Sequence, residues 1–278
     1  MKKLILCLPL AAILLSAGLA SAQKLKADEI VARHLDSIAP PAVRSAAKTR
    51  VAVGDATARF ISTKQPQVDG RIVLASESSK NFFGLNMNSS LYPGERMVSD
   101  GKNVSVASVL QNSRSLLGNF VQSNAWLVKD SILGGVLFTS WALNDVSADG
   151  RGKLSTGGTK KIDGREVYVV DYSKKGDVDV SLYFDKETFR HVRTEYRRVS
   201  SAAIGSRPED STKFSESRLK VIENFGDFKS EGGMMLPHLY SISYSISGQN
   251  GTTEVEWVFK LTEFGFNQPF DPNTFSVQ

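Results

Sequence analysis

A two-residue rhythm constrains this chain more than any other feature. Near the C-terminus, "EVEWVFKLTEF" sets Val255, Trp257, Phe259 and Leu261 against Glu254, Glu256 and Lys260. "LYSISYSIS" alternates Tyr240, Ile242, Tyr244 and Ile246 with serines, and "DVDVSLYF" alternates Val178, Val180, Leu182 and Phe184 with Asp177, Asp179, Ser181 and Tyr183. Successive strand residues point to opposite sides, so each segment reads as a long strand with one apolar face. "HVRTEYRRV" puts Val192, Thr194 and Tyr196 opposite His191, Arg193, Glu195 and Arg197. In "NFFGLNMN", Phe83, Leu85 and Met87 share a face. Asp100-Gly101 and Asp163-Gly164 are hairpin dipeptides between such segments, and Val104 and Val106 alternate after the first. Strands of this kind, joined by short turns, predict an antiparallel sheet covered on one face.

Two segments break the rhythm. "LKADEIVARHLDSI" (25–38) carries Leu25, Ile30, Val31, Leu35 and Ile38 near helical spacing before Pro40-Pro41, which predicts an amphipathic helix of about four turns with His34 at its edge. From Ser113 to Leu143, large apolar residues recur mostly at three and four. This predicts two short helices meeting near "SNAW" (123–126), the second loosened by Gly134-Gly135. Within it, "SILGGVLFTSWAL" (131–143) is uncharged and, at thirteen residues, too short for the ~20 needed to span a membrane. Six of its large side chains represent roughly 9–18 kcal/mol on burial, an upper estimate. A domain's net stability is only about 5–15 kcal/mol, so these groups are expected inside. They either plug the open face of the sheet or form a lid over an apolar space.

The N-terminus indicates where the protein works. Lys2-Lys3, an apolar run from Leu4 to Leu19, and Ala20-Ser21-Ala22 have the order of a secretory signal peptide, with cleavage expected before Gln23. An uncleaved anchor is the alternative. Cys7 follows Leu6 and lies too early for a lipoprotein cysteine. Without residues 1–22 the only cysteine is lost, so the core alone must hold residues 23–278, expected as a single domain. Losing Lys2 and Lys3 also leaves 32 basic against 29 acidic side chains. No basic block is interleaved with aromatics, so no nucleic-acid partner is expected. The Ser-, Gly- and Pro-containing stretch around 200–216 reads as a long hairpin loop rather than a domain boundary.

Catalytic and metal motifs are missing. "ADGRGKL" has Ser147 in place of the leading glycine of a phosphate loop and Leu154 in place of its hydroxyl residue. His34, His191 and His238 begin no ligand spacing. Asp177 and Asp179, and the charged residues of Arg190–Arg198, read as solvated strand faces, with anionic-lipid contact the sharper reading of the second. No enzyme activity, cofactor or metal is expected.

In "DEIVARHLDSI", "GRIVLASE", "YPGERMVSDGKNV", "SLLGNFV", "ILGGVLFTSWAL", "KKIDGREVYVVDY", "LYFDKETFRHVRTEYR", "VIENFGDFKSEGGMMLPH" and "PFDPNTF", and in their order, the chain resembles the LolA/LolB lipoprotein-carrier superfamily. The resemblance implies an unclosed antiparallel β-barrel, a strongly curved sheet covered by a helical lid or plug. It implies a periplasmic, non-enzymatic carrier of lipoprotein acyl chains or other lipids, with envelope membrane proteins as possible partners. By resemblance Leu117, Phe120, Leu133, Leu137 and Trp141 are lid candidates, Trp126 stands beside them, and Phe83, Leu85 and Met87 face the cavity. It also implies an arginine that locks the lid, a part the sequence pattern assigns to no particular residue. The alternative is an envelope interaction protein whose helices fill the barrel permanently.

Overall fold

The computed structural model describes residues 24–63, 67–110, 113–145, 152–174, 176–201, 216–249 and 251–277. The expected signal segment, Cys7 and the cleavage site before Gln23 lie outside the described residues.

Two helices come first. α1 (Ala27–Ile38) buries Ala27, Ile30, Val31, His34 and Ile38 along one stripe, with Asp28 and Glu29 in its first turn, where acidic side chains meet the positive end of the helix dipole. It has three turns rather than four. Pro40-Pro41 do end it, but Pro41 also opens a second helix, α2 (Pro41–Ala46), because proline fits the first helical turn, where no N–H is needed.

Five strands follow: β1 (Thr49–Phe60), β2 (Val68–Glu77), β3 (Lys80–Met87), β4 (Gly94–Ser99) and β5 (Val104–Val106). Then comes the insert, with α3 (Leu116–Ser123), α4 (Trp126–Lys129) and 3₁₀ turns at Gly135–Leu137 and Ala142–Asp145. Seven more strands complete the fold: β6 (Lys153–Ile162), β7 (Arg165–Ser173), β8 (Asp179–Asp185), β9 (His191–Ser200), β10 (Ser217–Glu231), β11 (Met234–Gly248) and β12 (Gly251–Phe266).

All twelve strands form one antiparallel sheet in the order β5-β4-β3-β2-β1-β12-β11-β10-β9-β8-β7-β6. Two meanders are joined through the β1–β12 pair, in which Ala56 faces Phe259. β5 and β6 are the two edges, and they are not paired to each other. The barrel is therefore unclosed. This order also explains where the insert lies. The chain leaves the sheet at one edge and must rejoin it at the other, so residues 113–145 have to cross the opening. Ser200 pairs with Ser217 where β9 meets β10; the loop expected around 200–216 lies almost wholly outside the described residues.

The inner face and the insert share a single apolar core, containing Ile72, Leu74, Phe83, Leu182, Phe184, Tyr240, Trp257 and Phe259 from the sheet. Two departures from simple alternation matter. A bulge between Tyr183 and Phe184 shifts the register against β9, so His191 pairs with Phe184 and turns inward while Val192 turns outward. A bulge lets a strand change which residues face the core, and this one reverses the expected placement of both residues. The outer face of β8 is also not uniformly solvated. Asp177 and Asp179 are exposed, but Ser181 and Tyr183 are buried, Tyr183 with Val167 and Val169 in a small external cluster. A second external cluster joins Ala75, Val98 and Phe275, so residues near the C-terminus cover part of the convex face.

Candidate functional site: the insert and its polar pins

The candidate lid is only partly helical. α3 is capped by Ser115, whose Oγ accepts from the Gly118 N–H at 2.8 Å, and the junction of α3 and α4 falls at "SNAW" as expected. Beyond Lys129, however, the predicted second helix gives way to turns and short 3₁₀ segments. Gly134 (φ +80°) and Gly135 (φ +49°) are left-handed, a conformation that L-residues avoid. A Cβ on Gly134 would stand 2.4 Å from the Phe138 ring, and one on Gly135 3.2 Å from His191 Nδ1. The glycine pair therefore allows close packing at a fixed bend; it does not loosen a helix.

The structure places Phe83, Leu85 and Met87 on the inner face of β3, buried, and buries Leu117 and Phe120 of α3 with Leu133, Leu137 and Trp141 of the turns. All eight belong to one core. Phe83 meets Phe259 edge-on at 6.1 Å, Phe120 meets Tyr196 at 5.8 Å, and Trp141 stacks on His191 at 5.2 Å. Trp126 is half-buried at the margin of the same core, stacked on Tyr172 at 6.1 Å with Lys174 over its ring. The insert's own side chains fill the space expected for an apolar ligand. Two cavities, of about 330 and 1190 Å³, include none of these nine residues in their linings.

Side chains of the sheet and of α1 pin the insert, mostly by its backbone, and sequence reasoning missed these residues. Arg50 Nη1 donates to Val136 O at 2.6 Å. Glu223 Oε1 accepts the Gly134 N–H at 2.7 Å. Asn81 Nδ2 donates to Val128 O at 2.7 Å and to Ser131 Oγ at 2.9 Å. The Thr139 N–H donates to Ser76 Oγ at 2.9 Å, and Lys174 pairs with Asp130 at 2.5 Å. Among the described residues, the insert forms no strand pair with the sheet.

Several pins are buried titratable groups. Glu223 also accepts hydrogen bonds from the hydroxyls of Tyr196 and Tyr240. Burial raises its pKa to about 7, outweighing the three donors that favour the carboxylate. Both tyrosines are pushed up, first by burial and then by the Glu223 charge. Glu95 accepts from the Tyr92 hydroxyl at 2.8 Å and lies beside the start of α3; burial raises it to about 7 as well. Burial lowers Arg50 only to about 10, so it stays charged at neutral pH.

The histidines are not where spacing suggested. His34 is fully buried rather than at a helix edge, and its ring is 6.0 Å from that of His191. Its Nε2 accepts from Trp141 Nε1–H at 3.1 Å; an indole nitrogen can only donate, so Nδ1 carries the proton and donates to Phe189 O at 3.1 Å. Burial lowers His34 to about 4 and His191 well below its ordinary value, which keeps both rings neutral. Among the described residues, no group of three His, Cys, Asp or Glu is placed to hold a metal ion, and no helix is long and apolar enough to cross a membrane.

Fold and site together define an open antiparallel half-barrel whose mouth is crossed by a pinned apolar segment. No family model matches the chain, and no curated protein matches it. Among solved structures, it is similar to the LolA superfamily protein NE2245 from Nitrosomonas europaea at 15% identity, covering 91% of this chain and 98% of that one, with a TM-score of 0.49. It is also similar to a DUF1329 family protein from Desulfovibrio piger at 8% identity, covering 91% and 99%, with a TM-score of 0.42. At these scores the architecture is read from the chain's own strand order.

Proposed function

We propose that this protein is a non-enzymatic carrier of the bacterial cell envelope, exported by residues 1–22, which takes up acyl chains of lipids or lipoproteins when the insert lifts from the sheet. The supporting observation is how the insert is attached. It covers a concave apolar face, yet its backbone is tied to the sheet by side chains such as Arg50, Asn81, Ser76 and Glu223 and, among the described residues, by no strand pairing. A cover attached in this way can leave without breaking a ladder hydrogen bond. The exposed face would then offer Phe83, Leu85 and Met87 to an acyl chain, each buried methylene contributing about 0.8 kcal/mol. Leu117, Phe120, Leu133, Leu137 and Trp141, now packed inward, would line the displaced lid, with Trp126 at its edge. Periplasmic work in lipoprotein sorting, with envelope membrane proteins as donors and acceptors, fits this reading.

One observation favours the alternative, an envelope interaction protein with a permanently filled barrel. Leu133, Leu137 and Trp141 are at most 2% exposed, a completeness of packing that a fixed plug also produces. An engineered disulfide separates the two. Ser76 Oγ is 2.9 Å from Thr139 N, so the two residues are neighbours and Ser76→Cys with Thr139→Cys is the pair to bridge, with formation of the bond checked by thiol titration. A fluorescent fatty acid titrated into the delipidated protein should bind saturably. Binding should vanish when the bridge is oxidised and return on reduction. Absence of saturable binding in the reduced and wild-type proteins would leave the plug.

A further inference from the structure

The smaller cavity and the arginine pin adjoin each other. The cavity, about 330 Å³, opens beneath α2 and is lined by Val43, Ala46 and Ala47 on one side and by Met234 and Phe266 on the other. Asn267 is its only polar side chain, and that Oδ1 already accepts the Lys48 N–H at 2.8 Å. The left-handed turn Gly232-Gly233 forms part of the wall: a Cβ on Gly232 would stand 2.7 Å from the Phe266 ring.

Arg50 lies directly behind this wall. Its guanidinium rests over the Phe266 ring at 6.0 Å, and Nη2 lies 3.2 Å from Met234 Sδ. Nη1 is committed to Val136 O, while Nε is buried without a partner. No Asp or Glu among the described residues pairs with this cation. Buried charges are ordinarily paired, and a thioether is a weak acceptor. The Nε and Nη2 edge is the fork that accepts a carboxylate through two parallel hydrogen bonds. Among the described residues, that edge has the Met234 thioether as its one hydrogen-bond partner, and Met234 itself forms part of the cavity wall.

We infer that the cavity beneath α2 is a binding site for an acyl chain ending in a carboxylate, whose tail lies among Val43, Ala46 and Phe266 while its head displaces Met234 and pairs with Nε and Nη2 of Arg50. The volume is within the range of small-molecule sites, about 300–1,000 Å³. The apolar lining argues for a fatty acid rather than a protein C-terminus, because a peptide's amide groups would find almost no partners there. Methionine, unbranched and with three rotatable bonds, is suited to the gating part. No residue of the insert lines this cavity, so the site can be tested with the insert held in place; if the carrier reading holds, the same head group engages the residue that pins the insert.

The test uses the full protein carrying the oxidised Ser76→Cys/Thr139→Cys bridge, which keeps the insert in place. Decanoate and 1-decanol are titrated into it by calorimetry. The expected result is saturable decanoate binding, at least tenfold tighter than decanol, that is lost in Ala46→Trp, where an exposed alanine at the end of α2 becomes a ring filling the cavity. Arg50→Lys, which keeps a charge but has no fork, should remove most of the preference for the acid. Equal affinity for acid and alcohol, or unchanged binding in Ala46→Trp, would overturn the assignment. So would stronger competition by N-acetyl-leucyl-leucine than by decanoate, which would point to a protein C-terminus. Binding that disappears on closing the bridge but ignores Ala46→Trp would refute this site and leave the carrier reading intact.

Discussion

Arg50 Nη1 lies 2.6 Å from the carbonyl oxygen of Val136, joining the first strand of the sheet to the centre of the segment that crosses its mouth. The bond is made by a cation that has no acidic partner among the described residues. Two effects of removing it therefore oppose each other. Arg50→Met relieves a buried charge, and replacing buried charges by apolar groups is often neutral or stabilising. It also leaves Val136 O without its donor, at a cost of about 1–3 kcal/mol. Global stability should change by less than about 1–2 kcal/mol, whereas the amides of residues 133–139 should exchange with solvent markedly faster. Denaturant titration alongside hydrogen exchange measures both.

Glu223 and Glu95 should make stability fall as pH rises. Both have folded-state pKa values near 7 against an ordinary 4.5, so each holds a proton in the native state that the unfolded chain has released. Their contribution is fully present below about pH 4.5 and is lost as pH approaches 7. His34, lowered to about 4, and His191, held well below 6.5 by burial, act in the opposite sense, contributing above 6.5 and failing in acid. The histidines therefore oppose the glutamates as pH rises towards 6.5. Glu223→Gln removes one carboxyl from this balance. Between pH 4.5 and 7 the variant should gain on wild type by on the order of 3 kcal/mol. Parallel stability curves would show that Glu223 is not protonated in the folded protein.

The glycine pair of the insert should be intolerant for a geometric reason. Gly134→Ala meets both a φ of +80° and a Phe138 ring 2.4 Å from the new Cβ. Gly158, with φ +87° and nothing within 4 Å, supplies the control. Gly158→Ala should cost only the left-handed penalty of about 1–2 kcal/mol, and Gly134→Ala clearly more. Thermal denaturation of the two variants decides; equal losses would mean that the insert has room to move around Gly134.

Face assignment on β8 is testable with neighbours in sequence. Val180 is 2% exposed on the inner face, while Asp179 points outward and is exposed. Val180→Asp should destabilise by about 3 kcal/mol or more. Asp179→Asn should stay within about 0.5 kcal/mol. Denaturation midpoints for both variants measure this, and similar values would contradict the strand's orientation.

Strands whose inner faces are plainly apolar were legible in the sequence. Leu182 and Phe184, Ile242 and Tyr244, and Trp257 and Phe259 all turn inward as alternation predicts. Other positions were not legible because a second influence overrode the pattern. On β1 the inward residues are Arg50 and Ala52, a cation and a small side chain that no apolar alternation marks, while Val51 packs on the external cluster that includes Phe275. A pattern within one strand cannot show that residues near the C-terminus will cover its outer face. His191 and Val192 exchanged sides because a bulge is set by pairing with β8. Glu223 did leave a signal: it is in phase with Leu219, Val221 and Phe225, an acid on an apolar face. The bends of the insert left only Gly134-Gly135. Spacing of three and four suggested helix there, whereas the route between the two sheet edges produced turns.

Native-state hydrogen exchange decides whether residues 113–145 are a removable cover. Segments held by few side-chain hydrogen bonds open at a lower free energy than the core they cover. Amides of the insert, including Gly134 and Thr139, should exchange through an opening well below the free energy of global unfolding, while β8 and β10–β12 exchange only with the whole molecule. Addition of a long-chain fatty acid should deprotect the insert further and leave those strands unchanged. Exchange of the insert only through global unfolding, with or without fatty acid, would contradict the account.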